Sequence, residues 1–153
     1  MNPASELRHD IADWVLAMPA AAALGFTFAS LGDGRCETHL DWQPRHSHVS
    51  GAFQAGPIGS LADFTGASAA VSLLPPGTAA ATVDLTVKLL AEARGEALIA
   101  TGRAFSPART ITVAAVDIDV VTTQGRSLCA TALVTIRVRR PPLAASSSLP
   151  TQT

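Results

Sequence analysis

The sequence predicts an α+β protein in which a curved antiparallel sheet wraps around one long central helix. Three observations carry that prediction. Helical and strand-like periodicities fall in separate stretches instead of alternating. Residues 57–74 form one uninterrupted segment between Pro57 and the Pro75-Pro76-Gly77 stop. Four segments of two-residue period follow it, separated by turns. The chain has 153 residues, 48% apolar and 15% charged, with a net charge of −1. That fits one domain over residues 1–140 and argues against a disordered chain. With no basic runs, nothing marks an electrostatic nucleic-acid surface. A chain this apolar cannot hide all its oily surface in one small core, so a face shared with another subunit or an oily ligand is expected.

Ser5 is placed as the N-cap of a first helix in which Leu7, Ile11, Trp14 and Val15 recur at helical spacing. Pro19 stops it near residue 17 or 18. Residues 14–32 carry no charge, but Pro19 and weakly apolar alanines argue against a membrane span, and Glu6 and Asp10 against a basic export leader. From Phe26 the period becomes two. The Gly32-Asp33-Gly34 turn then leads into Cys36, Thr38, Leu40 and Trp42, which predicts a hairpin. Residues 43–56 read as a polar loop, with His46 and His48 as solvated side chains lacking the partners of a metal site.

Proline suits the first position of the helix at 57–74, and the double proline cannot continue it. Gly59, Ala62, Gly66, Ala69 and Ala70 leave almost no bulky face, which suits a helix enclosed on most sides. The strands then run through Val83 to Leu89, Leu98 to Phe105, Ile111 to Val120, and Leu128 to Val138. Ile111 and Val113 are out of phase with Val116, Ile118 and Val120, which predicts a bulge near Ala114-Ala115. Residues 141–153 are expected to be a mobile tail. One helix covers only part of one sheet face, so another face or edge is expected to meet a second subunit. Cys36 and Cys129 lack metal or redox spacing and suit a reduced cytosolic protein.

Asp63 breaks the pattern of the central helix. A carboxylate among Gly and Ala is costly if ionised and unpaired, so it is compensated by the helix dipole or solvent, or it is used. Just upstream, Gly51 to Gly56 would bring free backbone N–H groups of a helix N-terminus into the same region. A carboxylate with such donors suits acyl transfer or hydrolysis: it activates water or attacks a thioester carbonyl while the amides take up charge on oxygen. There is no Gly-x-Ser-x-Gly elbow, no His-Glu-x-x-His and no Gly-rich phosphate loop.

Pro19 to Gly25, Gly34 to Leu40, Gly51 to Asp63 (GAFQAGPIGSLAD) and Thr82 to Leu85 (TVDL), with the late Gly125 turn, resemble in order the hotdog-fold acyl-CoA thioesterases of the PaaI-like, phenylacetic acid degradation group. The resemblance covers about residues 19–138. It implies a hotdog fold, hydrolysis of an acyl- or aryl-CoA without a cofactor, and sites at the interface of a homodimer or homotetramer. Asp63 is similar to the family's catalytic nucleophile or general base. Ala55 would supply the N–H that polarises the carbonyl, with Gly56 beside it at the substrate. Gln54 stands where relatives carry His, and His48 where they often carry Asn. Thr82 matches a Ser or Thr that comes from the facing subunit. His-Gly-Gly has become Gln54-Ala55-Gly56, and Gln donates a hydrogen bond but carries no proton. Arg109, with Arg103 and Arg126, is a candidate for the phosphates of CoA. Two alternatives remain: a non-catalytic acyl-CoA or lipophilic-ligand binding protein on the same fold, and hydration or dehydration of an acyl thioester, which Gln54 disfavours.

Overall fold

A computed structural model describes residues 7–105 and 110–139. Two short helices come first, α1 (His9–Leu16) and α2 (Pro19–Leu24), followed by β1 (Thr27–Gly32) and β2 (Arg35–Asp41). A single 3-10 turn (Pro44–His46) leads to β3 (Ser47–Val49) and β4 (Ala52–Phe53). Helix α3 (Ala55–Val71) precedes β5 (Ala79–Leu89), β6 (Ala97–Ala104), β7 (Ile111–Thr122) and β8 (Gly125–Arg139). The large sheet has the order β1-β2-β6-β7-β8-β5 and is antiparallel throughout; β3 and β4 form a separate pair. Its inner face holds Leu40, Leu98, Ala100, Val116, Ile118, Val134 and Ile136, all at most 1% exposed, against Leu61, Ala62, Ala69 and Ala70 of α3. The predicted α+β sheet wrapped around a long helix is what the chain forms.

The β1–β2 hairpin follows from its turn. Asp33 and Gly34 both have positive φ, 49° and 76°, the backbone of a tight hairpin turn that matches strand twist. The Gly34 N–H donates to Ser72 Oγ at 2.8 Å, and Ser72 Oγ donates to Ala69 O, so the turn is tied to the end of α3.

Small residues let α3 lie close to the sheet. A Cβ on Gly66 would stand 2.6 Å from Val134 Cγ2 and 3.0 Å from Val116 Cγ2, both on buried strand residues. Gly66→Ala therefore overpacks the helix–sheet contact and is expected to cost about 1–3 kcal/mol of stability, read as a lowered urea midpoint. Next to it Thr65 Oγ1 donates to Leu61 O (2.7 Å), so the buried Thr38 hydroxyl is the donor in its 2.6 Å bond to Thr65. That chain of hydroxyls satisfies two polar groups inside the core.

Several expectations need correction. Ser5 lies outside the described residues; α1 has Arg8 at its N-cap and ends at Leu16. Pro19 does more than end a helix, because it opens α2 at a position where its missing N–H costs nothing. The 43–56 segment is not all loop, since it carries β3 and β4. Helix α3 begins at Ala55, two residues before Pro57, because Gln54 caps it. Register runs unbroken through Ala114 and Ala115; the irregularity lies between Ile118 and Asp119, opposite Cys129. Ile111 and Val113 simply face outwards, while Thr112 and Ala114 take the inner positions. The same irregularity puts Leu128 out of phase with Ala130 to Ile136 and leaves it 47% exposed. The expected tail, 141–153, lies outside the described residues. No helix among the described residues is long and apolar enough to cross a membrane.

Candidate active site

The N-terminus of α3 is pinned from below. The Gln54 N–H donates to His46 O and the Phe53 N–H to Ala93 O. His46 is buried, not solvated: its ring stacks on Phe53 (6.1 Å between centroids), and its Nε2 lies 2.8 Å from Leu24 O. It joins the end of α2 to the start of α3, a structural task that its polar sequence context did not disclose. His48, by contrast, is exposed.

At the first turn of α3 most backbone donors are already used or absent. Gln54 is extended (φ −78°, ψ 153°) and its Oε1 accepts the Gly56 N–H at 2.6 Å. Pro57 has no N–H. Ile58 makes a long bond, 3.4 Å, to Gln54 O. The Ala55 N–H is left with no partner among the described residues. It lies at the edge of a hollow of about 320 Å³ lined also by His48, Gln54, Ile58 and Leu89. Because the Gln54 carbonyl oxygen is engaged, its amide NH₂ remains free to donate.

Asp63 lies two turns further on, half-buried on the side of α3 that faces β5. Thr82 Oγ1 donates to Asp63 Oδ1 at 2.7 Å. Thr82 reaches it because it pairs with Ile136 on the inner face, just before a register shift between Thr82 and Asp84. Oδ2 of Asp63 makes no hydrogen bond to a described residue. While it donates its hydrogen bond to Asp63, the Thr82 oxygen can still accept a hydrogen bond from water. The pair stands at one end of an apolar hollow of about 270 Å³, walled by Trp14, Met18, Phe64 and Ala67.

This pairing corrects the expected division of the site, in which Asp63 and Thr82 came from different chains. They meet within one chain. What one chain keeps apart is Asp63 and Ala55: eight residues on a helix separate them by about 12 Å along the axis and about 80° around it. One carbonyl cannot touch both.

Of the arginines, Arg109 lies outside the described residues. Arg103 stacks over Phe105 on the outer side of the sheet, 4.8 Å from its centroid, and Arg126 stands at the β7–β8 turn, opposite Val121. Unforeseen were Arg137 and Arg139. They line an open hollow of about 770 Å³ that shares Ala81 and Thr82 with the apolar one. Neither pairs with a carboxylate among the described residues. Their signal is the outward phase of the last strand, Thr135-x-Arg137-x-Arg139, which alternates with the apolar inward phase.

The cysteines offer no competing nucleophile. Burial pushes the Cys36 thiol far above its ordinary range and that of Cys129 up to about 11, so both stay protonated at neutral pH.

No protein-family model matches the chain, and no curated protein does. Solved structures do. A thioesterase family protein from Silicibacter pomeroyi superimposes with a TM-score of 0.81 at 26% identity, over 85% of this chain and 96% of that one. A thioesterase from Haemophilus influenzae gives 0.76 at 20% identity, over 95% and 99%. A phenylacetic acid degradation-related protein from Ralstonia eutropha gives 0.70 at 22%, over 84% and 98%. With this strand order, this buried helix and these structural relatives, the chain has the hotdog fold of the thioesterase superfamily.

Proposed function

We propose that this protein hydrolyses the thioester of an acyl- or aryl-CoA, in sites each built from two copies of the chain. The observation that carries this reading is the 2.7 Å Thr82–Asp63 hydrogen bond at the end of an apolar hollow, with the other carboxylate oxygen unbonded among the described residues. Asp63 takes a proton from water as it attacks the carbonyl carbon, or attacks that carbon itself and is freed by water in a second step. The C–S bond breaks, CoA leaves as its thiolate and is protonated, and the acid is released. Charge on the carbonyl oxygen is met by the Ala55 N–H and the Gln54 amide, with Gly56 held in place beside them and His48 holding water at the rim.

A second copy brings the separated halves together. Among the described residues strand β5 is an edge of the sheet, and Leu85 and Leu89, on its inner face, are 40% and 53% exposed. Two β5 edges paired about a two-fold axis cover those leucines and set the two α3 helices antiparallel. The partner's helix N-terminus then lies beside Asp63. The phosphates of CoA fall to Arg137 and Arg139, on the far side of Thr82 from the apolar hollow. Two buried free cysteines suit a reducing compartment, and we place the protein in the cytoplasm.

Mixing two inactive variants tests the shared site. Ala55→Pro and Asp63→Asn proteins, unfolded and refolded together, form mixed dimers in which one of two sites has both native groups. Thiol release is expected to recover to about a quarter of native. No recovery, with mixed dimers demonstrated by mass, means that each site lies within one chain. A protein that retains bound acyl-CoA through purification and releases no thiol over hours is a binding protein instead.

A further inference from the structure

We infer that the acyl group this site accepts is a linear aliphatic chain of about ten carbons, not a short or aryl group; this rests on the hydrolase reading above. The hollow at Asp63 does not end under the helix. It shares Ile11, Trp14 and Val71 with a second hollow, of about 360 Å³, that continues to Pro75 and Gly77. Together they make a groove between α1, α3 and the start of β5.

Its length follows from the helix. From Asp63 to Val71 is eight residues, about 12 Å along the axis. Carbon–carbon bonds of about 1.5 Å advance an extended chain about 1.3 Å each, so the stretch from Asp63 to Val71, where the two hollows join, takes about nine bonds from the carbonyl carbon. The walls along that distance are Trp14, Val15, Met18, Phe64, Val71 and Ile136. Trp14 is 52% exposed, a large apolar surface left open over the groove. Ala67 leaves room one turn from Asp63. The far end changes character: Arg8 and Asp10, paired at 2.8 Å, line it with Thr78. A chain of more than about ten carbons leaves apolar walls for charge and water, so added methylenes stop contributing there. A single aromatic ring fills only the half next to Asp63.

Primary alcohols from 1-butanol to 1-dodecanol test this, because they are uncharged beside Asp63 and their hydroxyl donates to it. Binding is read by the emission of Trp14, with Trp14→Phe reporting Trp42 alone. Affinity is expected to rise about threefold per methylene to about ten carbons and then level, with benzyl alcohol no tighter than 1-hexanol. Ala67→Phe is expected to flatten the series beyond about four carbons. Should that variant fail to fold, Trp14→Ala, at an exposed position, is expected to halve the slope when binding is followed by competition with radiolabelled 1-decanol. A flat native series overturns the inference, as does a Trp14→Ala variant that changes subunit number but not slope, which makes the groove a contact between copies. The alcohol series and thiol release separate the two readings. A flat series with intact thiol release removes the chain-length assignment alone. A steep series without thiol release from any acyl-CoA keeps the groove and removes the hydrolase.

Discussion

Asp63→Asn is expected to lower kcat for thiol release by at least about a hundredfold, the scale of losing a positioned base or nucleophile. Asparagine has nearly the shape of aspartate, and its Oδ1 can still accept the Thr82 hydroxyl that lies 2.7 Å from Asp63. What it cannot do is take a proton from water or attack a carbonyl. The loss is therefore expected in kcat rather than KM, which separates it from a damaged binding groove. Thiol release over short, long and aromatic acyl-CoAs measures it, with a thermal melt to verify the fold. A kcat within threefold of native on every substrate sinks the assignment of Asp63.

Ala55→Pro is expected to cost about a hundred- to a thousandfold in kcat, the usual effect of removing one oxyanion donor. Proline is usually a blunt tool in a helix, but here the position tolerates it. Ala55 is the first residue of α3, where proline's fixed φ is already helical. Gln54 before it is extended, at ψ 153°, as a residue preceding proline must be. The N–H that is removed bonds to nothing in the fold among the described residues, so stability is expected to hold. Ala55→Gly, which keeps the N–H, is the control. If the proline variant turns over like native protein, the α3 N-terminus is not the oxyanion site.

Much of the fold could be read locally because its determinants are local. Asp33-Gly34 favours a hairpin turn by its own backbone, and period-two alternation orients each strand, whereas the Pro75-Pro76 stop marked the end of α3 three residues late: the helix closes at Val71, with Ser72 as its C-cap. Asp63 stood out for a similar reason, since a lone carboxylate in a Gly- and Ala-rich helix is anomalous at any position in space. Other features have no local sign. His46 looked like a loop histidine because its neighbours are polar, but its ring stacks on Phe53 and its Nε2 meets Leu24 O at the end of α2, and it is buried. Ile111 and Val113 suggest a bulge only if apolar residues face inwards; on this sheet they face out, while Thr112 and Ala114 hold the buried positions.

The same division runs through the site. Residue chemistry singled out Asp63 as a candidate reactive group and residues 51–56 as a source of free amides, since carboxylate basicity and a helix N-terminus belong to residues and their immediate neighbours; the resemblance alone narrowed the donor to Ala55. Tertiary structure decided the partners. It brought Thr82 to Asp63 across 19 positions of sequence, set Arg137 and Arg139 beyond Thr82, and opened the groove under Trp14. It also held Ala55 a rigid helical distance from Asp63. Helix rise is a constant of the backbone, so no choice of side chains closes that gap, and the proposed site takes its amide donor from a second helix for that reason.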